Sequence, residues 1–269
     1  MGMKWLMREK LYFSKPDLAK AGLIMTNNIT NKDLEKVALL QEFVKKIVGQ
    51  DDDVNVQDMK TFAAKNDLQT DATLLQNFNE TLQKELFGLR PQKIISTSYN
   101  TPQEGVVTES EAKDQTAGFV FFGEKFTIDS WIFDQLTAGS AEKESDNKPR
   151  VQSSLSVLDT LAGTPRTTEL MKEWFQKNAN AFGITSTQIN AYPDIKDQTR
   201  AKVAELFSTG TIYGQWIDML SWNLVPTKNA PYFVQDTGYQ DKQINTYLGS
   251  YTELKHDTLL YVKQAYAEM

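Results

Sequence analysis

The chain has 269 residues, no cysteine and a formal net charge of −6. An acidic chain with a pI near 5.0 argues against nucleic acid as a partner, because neutralising phosphates takes a basic face. The missing cysteines exclude disulfides, thiolate metal sites and cysteine nucleophiles.

With 40% hydrophobic and 24% charged residues the chain carries enough apolar material for a core, which argues against disorder. Its length is near the upper limit for one compact domain. The expected organisation is one compact helical domain over 1–269, or a fragment of a larger protein, with a sub-boundary in the polar loop "AGSAEKESDNKPR" (138–150). No transmembrane segment is expected, since no run approaches the ~18 apolar residues that span a bilayer. The start, "MGMKWLMREK", is compatible with a chain cut from a longer parent whose leader has been removed.

Helical periodicity dominates, so the predicted fold is mainly α: an irregular multi-helix globular domain with at most a small two-stranded β element. "NITNKDLEKVALLQEFVKKIVG" reads as a helix capped at Asn31, with Leu34, Val37, Leu40, Val44 and Ile47 on one stripe and a stop at Gly49. A second helix runs from Val56 to about Lys65, capped by Asn55 with Asp58 three residues on. "DATLLQNFNETLQKELFG" repeats the pattern and stops at Gly88. "KIIST" (93–97) and "GFVFFG" (118–123) are β-branched or aromatic runs bounded by turn residues, and are expected to pair as the small sheet. The polar stretch between them reads as an excursion.

In "FTIDSWIFDQL" (126–136) Asp129 reads as the cap of the helix that follows, with Trp131, Ile132 and Leu136 inward. "VQSSLSVLDTLAG", "TPRTTELMKEWFQKNANAFG", "DQTRAKVAELF" and "TIYGQWIDMLSWNL" follow as helices, then a last one from about Asp241. No internal repeat is visible.

The motifs that suggest chemistry have plainer readings. Asp51, Asp53 and Asn55 alternate as in a calcium loop, but the sixth and twelfth positions are Val56 and Phe62, where such a loop needs Gly and Glu. Asp129 and Asp134 are five apart and do not stack on one helical face. Tyr213, Trp216 and Leu220 share one helical stripe and read as core, with Trp222 near the helix end expected to reach a surface. There is no "HExxH", "GxxxxGK" or "GxSxG", and the single histidine cannot build a two-histidine zinc site. No cofactor and no metal are expected.

The tail "YLGSYTELKHDTLLYVKQAYAEM" holds the only histidine. On a helical wheel Lys255 falls about 20° from Ile244, within the stripe of Leu248, Tyr251 and Val262. An ammonium there must snorkel or find an anion. It is therefore expected to pair with an acid or carbonyls of another helix. Glu253 and Asp257 are like-charged i,i+4 neighbours, His256 sits off the main stripe, and Leu260 on the polar side suggests an enclosed helix. A polar seam that pins the helix is one account. The other makes Glu253, His256 and Asp257 candidate catalytic residues and Lys255, Trp222 and Tyr251 candidate ligand-binding residues.

At these residues the chain resembles a prokaryotic family, the domain of unknown function 3160. "DKQINTYLGSYTELKHDTLLYVKQAYAEM" has the order of its tail motif: Asn-Thr, Leu-Gly-Ser, an acid, a base, His-Asp-Thr, then Tyr-x-Lys-Gln. "MKWLMREKLYF", "FVKKIVGQDDDVNVQDM", "FFGEKFTIDSWIFDQL" and "SSLSVLDTLAG" follow the family's sequence order. Lys255 stands where the family carries arginine, which argues against a bidentate anion contact there. The resemblance implies a mostly helical fold and a larger, exported or lipid-anchored parent with flanking domains. It implies no reaction, cofactor or catalytic residue. The leading functional expectation is a non-enzymatic, extracytoplasmic binding or surface-associated domain. The alternative is a hydrolase of polysaccharide or peptide using the acid–base groups of the last helix.

Overall fold

The computed structural model describes residue 6 and residues 9–94, 116–137, 147–207, 210–225 and 229–259. Eleven α-helices and one two-stranded sheet are present among them, so the fold is mainly α as predicted. The described residues divide into two compact units, one up to Phe126 and one from Thr127 to Leu259. Most of the 138–150 loop expected to hold a boundary lies outside the described residues.

In the first unit β1 (Leu11–Tyr12) leads into α1 (Pro16–Asn27), followed by α2 (Asn31–Ile47), α3 (Val56–Lys65), α4 (Asp71–Asn77) and α5 (Glu80–Phe87). Helix α1 went unread in the sequence, although Pro16 opens it where proline costs nothing. Its buried Ala19, Gly22 and Leu23 pack on α3, in a core with Met59, Phe62, Leu74 and Phe119. The cap of α3 is as predicted, with Asn55 and Asp58 closing a reciprocal capping box. That of α2 is Thr30 rather than Asn31, because the Thr30 hydroxyl accepts the Asp33 amide. None of its residues is fully buried, and Leu40 of the predicted inner stripe is exposed.

The segment 71–87 is two helices rather than one. The side chain of Asn79 accepts the amides of Thr81 and Leu82 and so starts α5 anew. The sheet also differs from expectation. β2 (Gly118–Phe119) pairs antiparallel with β1, not with 93–97. The amides of Lys93 and Ile94 donate to the Asp52 carboxylate, at 3.0 and 2.9 Å, and are taken from any ladder. Residues 95–97 lie outside the described residues.

The second unit holds α6 (Ile128–Leu136), α7 (Ser154–Ala162), α8 (Pro165–Phe182), α9 (Ser186–Phe207), α10 (Ile212–Trp222) and α11 (Thr237–Leu259). Helix α7 is short but buried nearly all round, and it packs on α6, α8, α9, α10 and α11. It ends at Gly163, whose φ of 58° is left-handed, and α8 starts at once with Thr164 as cap and Pro165 in its first turn. Glycine past one helix and proline inside the next make this tight corner. Helix α9 begins well before the predicted "DQTRAKVAELF". Thr185 and Gln188 form a reciprocal cap, and the helix then runs through Pro193. Trp216, placed in the core by periodicity, is 48% exposed, while Tyr213 and Ile217 carry the buried face of α10. Helix α11 starts at Thr237, and the part predicted beyond Leu259 lies outside the described residues.

Candidate functional site

Two carboxylates in the second unit are fully buried, Asp129 on α6 and Asp159 on α7, and each is surrounded by donors from other helices. Asp129 Oδ2 accepts the hydroxyls of Tyr213 at 2.9 Å and Tyr251 at 2.7 Å. Lys255 Nζ lies 3.4 Å from the same oxygen and 5.2 Å from the centre of the Phe133 ring. The pairing expected of Lys255 is thus made, one turn beyond Tyr251 on α11. Asp129 is not the cap of α6 as predicted; the cap position is Thr127, and the Asp129 carboxylate turns inward instead. Its Oδ1 has no hydrogen bond of normal geometry among the described residues, and nor has the buried Tyr247 hydroxyl. Tyr247 stacks on Tyr251 with ring centres 6.0 Å apart.

Burial opposes the charge on Asp129, but the Lys255 ammonium and the hydroxyls of Thr127, Tyr251 and Tyr213 outweigh it and hold the carboxyl below its usual range. Burial, then the nearby Asp129 charge, raises Tyr213, Tyr251 and Tyr247. An ionised acid among phenols that keep their protons has no proton to exchange near neutrality. That is the chemistry of a structural clamp.

Asp159 repeats the plan. Its Oδ1 accepts the hydroxyls of Thr167 and Thr168, each at 2.7 Å, and its Oδ2 that of Tyr192 at 2.8 Å. Lys196 Nζ lies 3.8 Å from Oδ1 and donates to Thr168 Oγ1 at 3.0 Å. Again the lysine follows the tyrosine by one turn, on α9 this time. Burial and then the Asp159 charge raise the Tyr192 phenol.

Above this second clamp a cleft of about 930 Å³ runs between α8 and α9. Thr168 and Lys172 line one wall, Pro193, Lys196 and Arg200 the other, and the Gly163 corner closes one end. Glu169, Glu173 and Asp197 also reach it. A Cβ on Gly163 would overlap the Arg200 guanidinium, so glycine is what lets Arg200 lie across the corner.

The residues singled out in the tail divide between two faces of α11. Tyr251 and Lys255 are buried in the Asp129 clamp. Glu253, His256 and Asp257 are exposed, so the helix is not enclosed as predicted, and none of the three lines the cleft. Trp222 stands 65% exposed at the end of α10.

In the first unit the three consecutive aspartates Asp51, Asp52 and Asp53 are engaged internally. Asp51 pairs with Lys125 and accepts from Asn55 Nδ2. Asp53 pairs with Lys10 at 2.8 Å and accepts from Gln92 Nε2 at 2.6 Å. Asp52, holding the two amides of 93 and 94, is pushed by burial up to about 6 despite them, with Asp53 and Glu124 adding to the rise. Among the described residues no three acidic or histidine side chains are grouped to hold a metal ion, and no described helix is long and apolar enough to cross a membrane.

One family model, described as "Protein of unknown function (DUF3160)", matches residues 1–269. The chain belongs to this family. No curated protein and no solved structure shows a match to it. For this DUF3160 chain, reasoning from sequence found Lys255 and Tyr251 but missed Asp129, Asp159 and the cleft. One signal was available: "YPDIK" and "YTELK" both place a lysine one helical turn after a tyrosine, on buried faces that each call for an anion.

Proposed function

We propose that this chain is a non-enzymatic binding domain of an exported prokaryotic protein, with its ligand seat in the α8–α9 cleft of the second unit. The observation that carries the reading is the cleft itself, about 930 Å³, the size of a small-molecule or peptide-segment site. Its floor supports the same reading. Thr168 and Lys196 face the cleft and are also tied to the buried Asp159, which holds the lining rigid and lowers the ordering cost of binding. What supports the exported setting is the family resemblance, and fractionation of cells that make the whole parent tests it.

The chain has no cysteine, so Gln176→Cys, at the cleft lining, accepts a single fluorescent label. Saturable signals from short peptides or oligosaccharides, with no product formed, are expected. Turnover that disappears on substituting Glu253, His256 or Asp257 would overturn the binding reading in favour of a hydrolase.

A further inference from the structure

The charges of the cleft are not equally committed. Glu169 accepts from Arg166 Nη1 at 2.8 Å, and Glu173 lies 3.8 Å from the same nitrogen. Asp197 pairs with Lys196 at 3.2 Å. Each acid that lines the cleft therefore already has a cation. Lys172 and Arg200 have no hydrogen-bond or ion-pair partner among the described residues. They stand on opposite walls, Lys172 on α8 and Arg200 on α9. The end where Arg200 crosses Gly163 is also the start of α8, an 18-residue helix whose first turn directs its positive dipole end there.

We infer that the cleft selects an anionic ligand, one bearing a carboxylate or a phosphate group, through Arg200 at the Gly163 corner and Lys172 on the facing wall. The inference rests on the cleft reading above and adds its ligand class. A cationic ligand would have to take Glu169 or Glu173 from Arg166, or Asp197 from Lys196. An anion displaces nothing, because Lys172 and Arg200 gain a partner that the described residues do not supply. Arg200 brings a planar fork suited to either oxyanion, and Lys172 a point charge. The cleft volume of about 930 Å³ leaves room for the body of the ligand beyond its charged group.

The experiment uses the full chain labelled at Gln176→Cys, at low ionic strength. The four probes are inorganic phosphate, succinate, maltotriose and the diamine cadaverine. Phosphate or succinate is expected to give a saturable signal. Lys172→Gln and Arg200→Gln should each weaken it about tenfold or more, the value of a charge-assisted contact. Lys177→Gln, exposed on α8 and outside the cleft, should leave it unchanged. Unaltered circular dichroism shows that the variants fold. A response to phosphate alone assigns a phosphoryl group, and one to succinate alone a carboxylate. An anion signal indifferent to both substitutions would overturn the inference, as would a response confined to maltotriose or cadaverine. Silence to all four probes, with peptides or oligosaccharides still detected, defeats the anion inference and leaves the cleft reading standing. Silence to every ligand defeats both.

Discussion

The Tyr251 hydroxyl donates to Asp129 at 2.7 Å across 122 residues of sequence, and the Tyr192 hydroxyl donates to Asp159 at 2.8 Å across 33. In both, a tyrosine and the lysine one turn later grip a carboxylate from another helix. Such a clamp is directional where apolar packing is not. A helix rotated by one residue would strand both the acid and the ammonium, at several kcal/mol for each buried charge. The two clamps therefore set the rotation of α11 against α6 and of α9 against α7. The second one also holds Thr168 and Lys196 of the cleft lining in place.

Lys255→Met should destabilise the protein by roughly 2–5 kcal/mol. It leaves Asp129 charged, fully buried and with one oxygen lacking a hydrogen bond of normal geometry among the described residues. His256→Gln, on the exposed face of the same helix, should stay within about 0.5 kcal/mol. Chemical denaturation of the two variants checks this, and the reverse order of effects would sink the clamp reading.

Local signals were legible in the sequence and distant pairings were not. The capping box of Asn55 and Asp58 spans three residues, so its letters suffice. Lys255 declared its need for an anion because a wheel shows an ammonium inside an apolar stripe. Nothing in a wheel shows which helix stands opposite, and Asp129 at a helix start resembled a cap. Periodicity misplaced Trp216 for a related reason. Tyr213 and Ile217 define a buried face close to the predicted one, and the rotation between them depends on Tyr213 reaching Asp129. The strand partner of Gly118–Phe119 was invisible because Leu11–Tyr12 is too short to show a period of two.

Gly49→Ala should cost about 2 kcal/mol or more, in the range of overpacked sites. The added Cβ would overlap the carbonyl oxygen of Phe126, a backbone atom that cannot rotate away. The two segments are bonded there, with the Phe126 amide donating to the Gln50 carbonyl at 2.8 Å. Gly183→Ala should cost less despite its left-handed φ of 65°, since nothing lies within 4 Å of the new Cβ. Thermal melts of both compare a steric cost with a purely conformational one.

Calcium should not raise the melting temperature. Asp51 and Asp53 are paired with Lys125 and Lys10, so a cation would have to displace two ammonium groups to reach them. A dose-dependent rise in melting temperature on adding calcium, reversed by a chelator, would show that the aspartate turn opens to bind the ion.

Asp52 should make the first unit lose stability as pH rises from about 4 to about 6. Its carboxyl is pushed up to about 6 in the fold, chiefly by burial, against about 3.9 in an unfolded chain. The folded state therefore holds the proton more tightly, and between those two values it binds more protons than the unfolded state does. Stability linked to this group is full below about pH 4, falls through the window and is constant above it, a change of roughly 2–3 kcal/mol. Asp129 acts in the opposite sense. Its carboxyl is held down in the fold, so its contribution is present at neutral pH and is lost as pH falls below about 4. The two effects occupy different windows and can be separated. Asp52→Asn keeps an acceptor for the amides of Lys93 and Ile94 and removes the titrating group. Urea unfolding of wild type and variant at pH 4.5, 5.5, 6.5 and 7.5 should show the variant gaining on wild type as pH rises. Parallel profiles would mean that Asp52 titrates in the fold as it does in the unfolded chain, and that its burial is relieved by water.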